Sequence, residues 1–402
     1  MDLKILKIDS SCTGCGACAN ICPKQCLHLE PDEEGFFFPE YNDTNCIECG
    51  LCEKTCHIVT SQSHPSPSPD RFFLYRTNET SLLQASTSGG GFTLFANWVL
   101  DQGGVVYGSR YNGDHECLEV FSTDKTSLAS LRKSKYLESY TGNAFSEIRK
   151  QLQSGRHVLY CGTPCQVRGL KQYLDTTHTK TDLLLTLDFA CHGVPSNDYF
   201  RQFKRMFEKE GKKVVDVDFR YKDFSKPNMM WHNMTLRLGF SDGSEKVFPR
   251  YYYYYYYYYE PFLNNLFLRK SCYQCEIALH SDADVSLGDF WGINKHRKEL
   301  DDNKGMSFIS INSERYMPLW KKLSKEGFSE QLPFEAVAYQ YEDKREIRSK
   351  QLKARSIFIK AIKVKGYKKA VTDHYGKMKM FSTLHIRRFK NFIKSLLGKP
   401  IS

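Results

Sequence analysis

Cys12, Cys15, Cys18 and Cys22 follow the spacing C-x2-C-x2-C-x3-C, with Pro23 next, and the same spacing returns at Cys46, Cys49, Cys52 and Cys56. Each cysteine of the second run stands 34 positions after its counterpart, the mark of an internal duplication. Three thiolates at two-residue gaps wrap one face of an iron–sulfur cube, and the fourth cysteine of such a run reaches across to the other cluster. The spacing therefore assigns Cys12, Cys15, Cys18 and Cys56 to one 4Fe-4S cluster and Cys46, Cys49, Cys52 and Cys22 to a second. Gly14, Gly16 and Gly50 suit loops that must turn tightly and approach the sulfurs. His57 takes the place in the second run that Pro23 holds in the first, which removes no ligand, and Cys26 is left as a spare thiol. Two zinc knuckles, or a disulfide scaffold, are the alternative. Zinc sites pair C-x2-C units and have no use for three cysteines at two-residue steps, twice over.

Further along lie four more cysteines, Cys165, Cys191, Cys272 and Cys275, the last two again as C-x2-C. The elements around them read as α/β. Ser88-Gly89-Gly90-Gly91 precedes Phe92, Phe95, Ala96 and Val99 on one helical face, and Gly103-Gly104 ends that helix before Val105-Val106-Tyr107 start a strand. His157 to Tyr160 reads as a buried strand, Gly162-Thr163-Pro164 turns it into a helix from Gln166, and Leu183 to Phe189 makes another strand. Cys165 and Cys191 both follow strand ends, where open α/β sheets bind their ligands. Four thiols are enough for a third cluster. Spacing alone leaves open a zinc half-site or redox pair at C-x2-C, with Cys165 and Cys191 as buried structural cysteines.

A stretch of six motifs in order resembles the coenzyme F420 hydrogenase/dehydrogenase beta-subunit family. They are Ser88-Gly89-Gly90-Gly91-Phe92-Thr93, Lys133-Ser134-Lys135-Tyr136, Gly162-Thr163-Pro164-Cys165-Gln166-Val167-Arg168-Gly169-Leu170, Cys191-His192-Gly193-Val194-Pro195-Ser196, Arg269-Lys270-Ser271-Cys272-Tyr273-Gln274-Cys275 and Ala283-Asp284-Val285-Ser286-Leu287-Gly288-Asp289-Phe290-Trp291-Gly292. The similarity runs over roughly the first 300 residues. It implies a flavoprotein domain binding FAD, with a third 4Fe-4S cluster on Cys165, Cys191, Cys272 and Cys275 beside the flavin; Cys161, where the motif has no fixed cysteine, would be a substitute ligand. A glycine run opening a helix offers backbone N–H groups to a pyrophosphate, which makes Ser88, Gly89, Gly90 and Thr93 candidates for the flavin. Lys133 and Lys135 would neutralise phosphate or hold an acidic substrate, and His192 would donate a proton near the flavin; the residues alone leave open a plain Gly-rich turn before a core helix and a solvated basic loop.

Composition bounds the remainder. The chain has 402 residues and a net charge of +11, yet residues 345–402 carry 17 Lys/Arg against 2 Asp/Glu, so the rest is slightly acidic. Phe389, Phe392, Ile393, Leu396 and Leu397 fall at helical spacing among Arg387, Arg388, Lys390 and Lys394, a basic amphipathic helix suited to an anionic membrane surface or an acidic partner. No recognised nucleic-acid fold is visible. The first twenty residues do not read as a signal peptide, no apolar run reaches bilayer length, and clustered cysteines in a reducing compartment are metal ligands, so a cytoplasmic location is expected, with peripheral membrane contact through the tail. Tyr251 to Tyr259, nine consecutive tyrosines, has no amphipathic period and is not expected to bury one face cleanly.

The expected architecture is α+β: a dicluster ferredoxin-like module over residues 1–60, a Ser/Pro linker over 61–70, a larger α/β flavin and 4Fe-4S domain over 71–344 and a basic helical tail over 345–402. The expected activity is an FAD- and iron–sulfur-dependent oxidoreductase exchanging electrons between a hydride partner such as coenzyme F420 and a redox protein, either ferredoxin or another subunit. The alternatives are a non-catalytic electron-transfer subunit, or a ferredoxin-dependent reductase associated with surface polysaccharide synthesis.

Overall fold

The computed structural model describes Ile5 and residues 8–60, 71–209, 211–250, 253–278 and 280–376. The duplication in the cysteine runs is a duplication of backbone. Gly16 and Gly50, in the left-handed conformation, each release a short helix, Ala17–Ile21 and Leu51–Lys54, that carries the third cysteine of its run. Between the runs lies a hairpin of β1 (Leu27–Pro31) and β2 (Phe37–Tyr41). Residues 8–60 thus have the ferredoxin-like form expected of them.

The rest is built on a mixed sheet. Its strands are β3 (Phe72–Thr77), β4 (Val105–Tyr111), β5 (Leu118–Thr123), β6 (Ser139–Tyr140), β7 (Val158–Cys161) and β8 (Leu184–Phe189). After a separate three-stranded sheet of β9 (Val214–Tyr221), β10 (Thr235–Phe240) and β11 (Glu245–Phe248), it resumes with β12 (Val285–Asp289), β13 (Ser307–Ile311) and β14 (Gly327–Leu332). The order is β14-β3-β13-β12-β8-β7-β4-β5-β6, with β12, β8, β7 and β4 parallel at the centre. Val158, Leu159, Leu184, Leu185 and Leu187 are buried, as strands covered on both faces require. The expected strands and the expected helix after the glycine run, Gly91–Asp101, begin within a residue of their expected starts, and β4 continues to Tyr111.

Two expectations change. Tyr253–Tyr257 forms a 3-10 helix running into the Tyr259–Leu263 helix, and Tyr255 to Tyr259 are all buried. A helix surrounded by core needs no polar face. Three of the hydroxyls find partners inside: Tyr258 donates to the Tyr136 carbonyl at 2.7 Å, Tyr259 donates to the Phe219 carbonyl, and Tyr257 lies 3.0 Å from the Thr372 hydroxyl, while the Tyr255 hydroxyl is buried with no partner among the described residues. The basic segment is also less separate than its charge suggests. Helices Arg345–Lys365 and Tyr367–Tyr375 bury Phe358, Ile359, Ile362, Tyr367, Ala370 and Val371 in the same core as those tyrosines. The stripe from Phe389 to Leu397 lies outside the described residues, as does the 61–70 linker. Among the described residues, no helix is long and apolar enough to cross a membrane.

β8 also buries an acid. Asp188 is 1% exposed and accepts a hydrogen bond from the Ser281 hydroxyl at 2.6 Å. Burial pushes its carboxyl up to about 7, with the Ser281 and Ser286 hydroxyls pulling it partly back. A carboxyl raised in the folded state contributes stability that is complete below its unfolded pKa near 4 and lost as pH rises through 7. From this group, stability should fall by up to about 4 kcal/mol between pH 4 and pH 8. Asp188→Asn is expected to flatten that part of the profile of melting temperature against pH. An unchanged slope would contradict it.

Candidate functional site

The two N-terminal cysteine runs exchange their fourth members. Cys18 has Cys15, Cys12 and Cys56 as its charged neighbours, and Cys56 in turn has Cys12. Cys22, Cys26, Cys46, Cys49 and Cys52 surround a separate small cavity. The structure therefore brings Cys12, Cys15, Cys18 and Cys56 together, and Cys22 together with Cys46, Cys49 and Cys52. It adds Cys26 to the second group, where its N–H donates to the Cys22 sulfur at 3.2 Å. Among the described residues no three His, Cys, Asp or Glu side chains converge as they would on a single ion. A cubane spreads its thiolates over separate corners, so its fit is tested by neighbourhood and by hydrogen bonds to sulfur. Gly14 N–H donates to the Cys12 sulfur and Glu48 N–H to the Cys46 sulfur, both at 3.4 Å. These are equivalent positions of the duplication, and both residues adopt the left-handed backbone that aims the N–H inward. Such bonds stabilise thiolates and tune clusters. The residues fit.

The later cysteines also meet. Cys165 occupies the first turn of helix Pro164–Thr176, which begins with a capping box between Thr163 and Gln166 and with Pro164 in the first turn. Cys191 follows β8, Cys272 lies within a 3-10 turn at Lys270–Gln274, and Cys275 directly follows it. Burial pushes the Cys191 thiol well up, and its neighbours Cys272, Cys165 and Cys275 push the same way. Burial likewise holds Cys272 up to about 12 and Cys165 up to about 11, each with Cys275 beside it. Four thiols crowded out of water disfavour their own ionisation, and bound iron would supply the missing positive charge. Val194 N–H already donates to the Cys272 sulfur at 3.4 Å. Cys161 has different neighbours, Asp188 and Lys135.

This third set adjoins the first. Burial, and then Cys56, Cys12 and Cys165, push the Cys15 thiol up to about 12. Helix Pro164–Thr176 lies so close to that loop that a Cβ on Gly169 would stand 2.8 Å from the Cys15 sulfur. Gly169→Ala should therefore destabilise the protein by about 1–3 kcal/mol through overpacking, read as a lowered melting temperature. Gly113→Ala, which meets nothing within 4 Å, should stay within about 0.5 kcal/mol of wild type. Equal effects would contradict the contact.

A cavity of about 510 Å³ opens beyond the carboxyl ends of the parallel strands, with Cys191 and Cys275 in its wall. That is the size and place of a cofactor site. Of the residues expected there, the Ser88 hydroxyl donates to the Met306 carbonyl at 2.6 Å and Gly89 N–H donates to the Ser307 hydroxyl at 2.8 Å, so both groups are committed to β13 and the turn before it. Gly90 and Thr93 line the cavity, and the Thr93 hydroxyl is buried with no partner among the described residues. The first N–H groups of the eleven-residue helix Gly91–Asp101 have no partner within that helix. Lys133 lines the cavity but pairs with Asp218 at 2.6 Å. Lys135 donates to the Arg132 carbonyl at 2.7 Å, and burial lowers its ammonium to about 8. His192 lines the cavity too; burial, with Arg348, lowers it to about 4, which leaves it neutral at pH 7. An anionic cofactor fits this donor set.

Three charged groups carried no sequence signal as site residues. Arg348 donates to the carbonyls of His192 at 2.9 Å and Cys272 at 3.2 Å. Arg269 belongs to a motif but has no spacing that marks it, and its partner Glu138 lies far off in sequence. The two form a buried ion pair at 2.7 Å. Burial raises the Glu138 carboxyl to about 7 while Arg269 draws it down.

Family models agree with this outline. The model for the carboxyl-terminal part of the coenzyme F420 hydrogenase/dehydrogenase beta subunit matches residues 155–336, and a 4Fe-4S dicluster domain matches residues 11–58. Among solved structures, the chain is similar to one from the F420-reducing NiFe hydrogenase complex of Methanosarcina barkeri, studied by xenon derivatization. The identity is 14% and the TM-score 0.49, over 73% of this chain and 94% of that one. No curated protein matches the sequence.

Proposed function

This chain belongs to the coenzyme F420 hydrogenase/dehydrogenase beta-subunit family, and on that premise we propose that it is a flavin-dependent iron–sulfur oxidoreductase with three 4Fe-4S clusters. It would move electrons between a hydride partner, coenzyme F420 or a chemically similar carrier, and a one-electron partner protein. Its iron–sulfur electron-transfer character follows from the dicluster domain; the third cluster, the flavin and the partners are our reading. One observation carries it. Cys191 and Cys275 line the cavity while Cys165 of the same set neighbours Cys15 of the first, so the third set stands between the cavity and the dicluster domain. FAD, when bound, converts between paired electrons as hydride and single electrons, a conversion that clusters cannot make.

The chain's residues would serve that chemistry by placement. The first turn of Gly91–Asp101 and the Thr93 hydroxyl would hold the pyrophosphate, with Lys135 beside it. His192, kept neutral, would donate or accept a hydrogen bond rather than carry charge. Cys49 of the second set is exposed and adjoins Ile47, which is 57% exposed, and this end would meet the partner protein, a ferredoxin or another subunit.

The test is anaerobic addition of reduced F420, and separately of NADH and NADPH, to the purified full chain, followed by cluster absorbance. Bleaching by one of the three supports the reading. If none bleaches clusters that dithionite does reduce, the hydride-linked activity is wrong.

A further inference from the structure

Resting on that relay, we infer that Arg269 and Glu138 together tune the reduction potentials of the clusters on the first and third cysteine sets, between which they lie. Arg269 favours an added electron on the clusters beside it, and Glu138 opposes it.

Arg269 is 1% exposed and lies three residues before Cys272. Its guanidinium leaves its own segment to enter the first cysteine loop, where Nε donates to the Cys12 carbonyl at 2.7 Å. Nη2 donates to the Phe37 carbonyl at 2.9 Å and Nη1 to Glu138 Oε1 at 2.7 Å. Cys12 of the first set and Cys272 and Cys165 of the third are its charged neighbours after Glu138. The Phe38 ring covers the guanidinium at 4.1 Å, with the Phe36 ring at 5.7 Å. Glu138 Oε2 in turn accepts from Phe37 N–H at 2.9 Å. The cysteine loop presses against the pair: a Cβ on Gly14 would stand 2.8 Å from Glu138 Oε1 and 2.9 Å from Arg269 Nη1.

A clamp on two backbone carbonyls needs only neutral donors. Here the donor is the one side chain that stays charged at any working pH, shielded from water and set between two groups of metal ligands. Charges act strongly through such a medium. Reduction adds one negative charge to a cluster, so a neighbouring cation raises its potential and an anion lowers it. The transfer governed here is of one electron, with no bond made or broken.

The test is an EPR-monitored redox titration of the anaerobic full chain at pH 8, where the Glu138 carboxyl is ionised, with iron counted on each sample. Arg269→Gln is expected to lower the midpoint potential of the adjoining clusters and Glu138→Gln to raise it, while Arg269→Lys stays nearer wild type than Arg269→Gln. A clamp alone would lower stability without shifts of opposite sign. If Arg269→Gln does not fold, Glu138→Gln decides: a rise supports the inference, and no shift or a fall at unchanged iron content overturns it. A wild type with only the two N-terminal clusters would defeat the third-cluster reading. The Glu138→Gln shift on the Cys12 cluster would then still decide this one.

Discussion

Replacing Cys191 with serine is expected to lower iron from about 12 to about 8 per chain and to abolish reduction of the remaining clusters by the hydride donor. Cys191 has all three other members of its set as neighbours and lines the cavity. Serine would leave three thiols crowded in a site where burial already disfavours their ionisation, so the whole cluster should be lost. The N-terminal sets share no ligand with it and should keep their iron. Dithionite should still reduce them, while the hydride donor, acting through the cavity, should not. Cys161 is a poor substitute, since its charged neighbours are Asp188 and Lys135 rather than the other three thiols. Unchanged iron with unchanged hydride-driven reduction would refute the assignment.

The second large effect concerns how the dicluster module is held. Arg355, 3% exposed on helix Arg345–Lys365, donates from Nε to the Leu268 carbonyl at 2.8 Å and pairs through Nη2 with Glu34 in the hairpin turn between β1 and β2. Removing one partner of a buried ion pair strands the other, which costs about 3–5 kcal/mol. Arg355→Ala should lower the melting temperature accordingly and expose the hairpin to proteolysis. Lys363→Ala removes a similar pair, with Glu33, but both groups are exposed, so its effect should stay below about 1 kcal/mol. Arg355→Ala combined with Glu34→Ala should recover part of the loss. Equal melting of the two single variants would show that Arg355 does not hold the module.

What could be read from sequence was local. A cysteine run states its chemistry in eleven residues, and the fourth-ligand exchange follows from the same spacing. Cys165, Cys191, Cys272 and Cys275 span more than a hundred positions; the parallel pairing of β7 and β8 brings the first two to one edge, and the Pro195–Leu268 bridge, with Arg269 N–H donating to the Val194 carbonyl, brings the other two beside them. The glycine run was legible as a helix start, but not that Ser88 and Gly89 spend their polar groups on β13 and the turn before it. Lys133 showed its charge in sequence and concealed its partner Asp218. Tyr255 to Tyr259 were misread because amphipathic period marks a helix with one wet side, and this one has none. Glu138, Arg348 and Arg355 act through backbone carbonyls and partners that no local pattern records.

The central claim is that one chain holds three clusters beside a flavin. Iron, acid-labile sulfide and flavin per chain, measured on anaerobically purified full-length protein, test it most directly. About 12 irons, matching sulfide and one FAD are predicted. About 8 irons and no flavin would contradict the account and leave a dicluster electron-transfer protein.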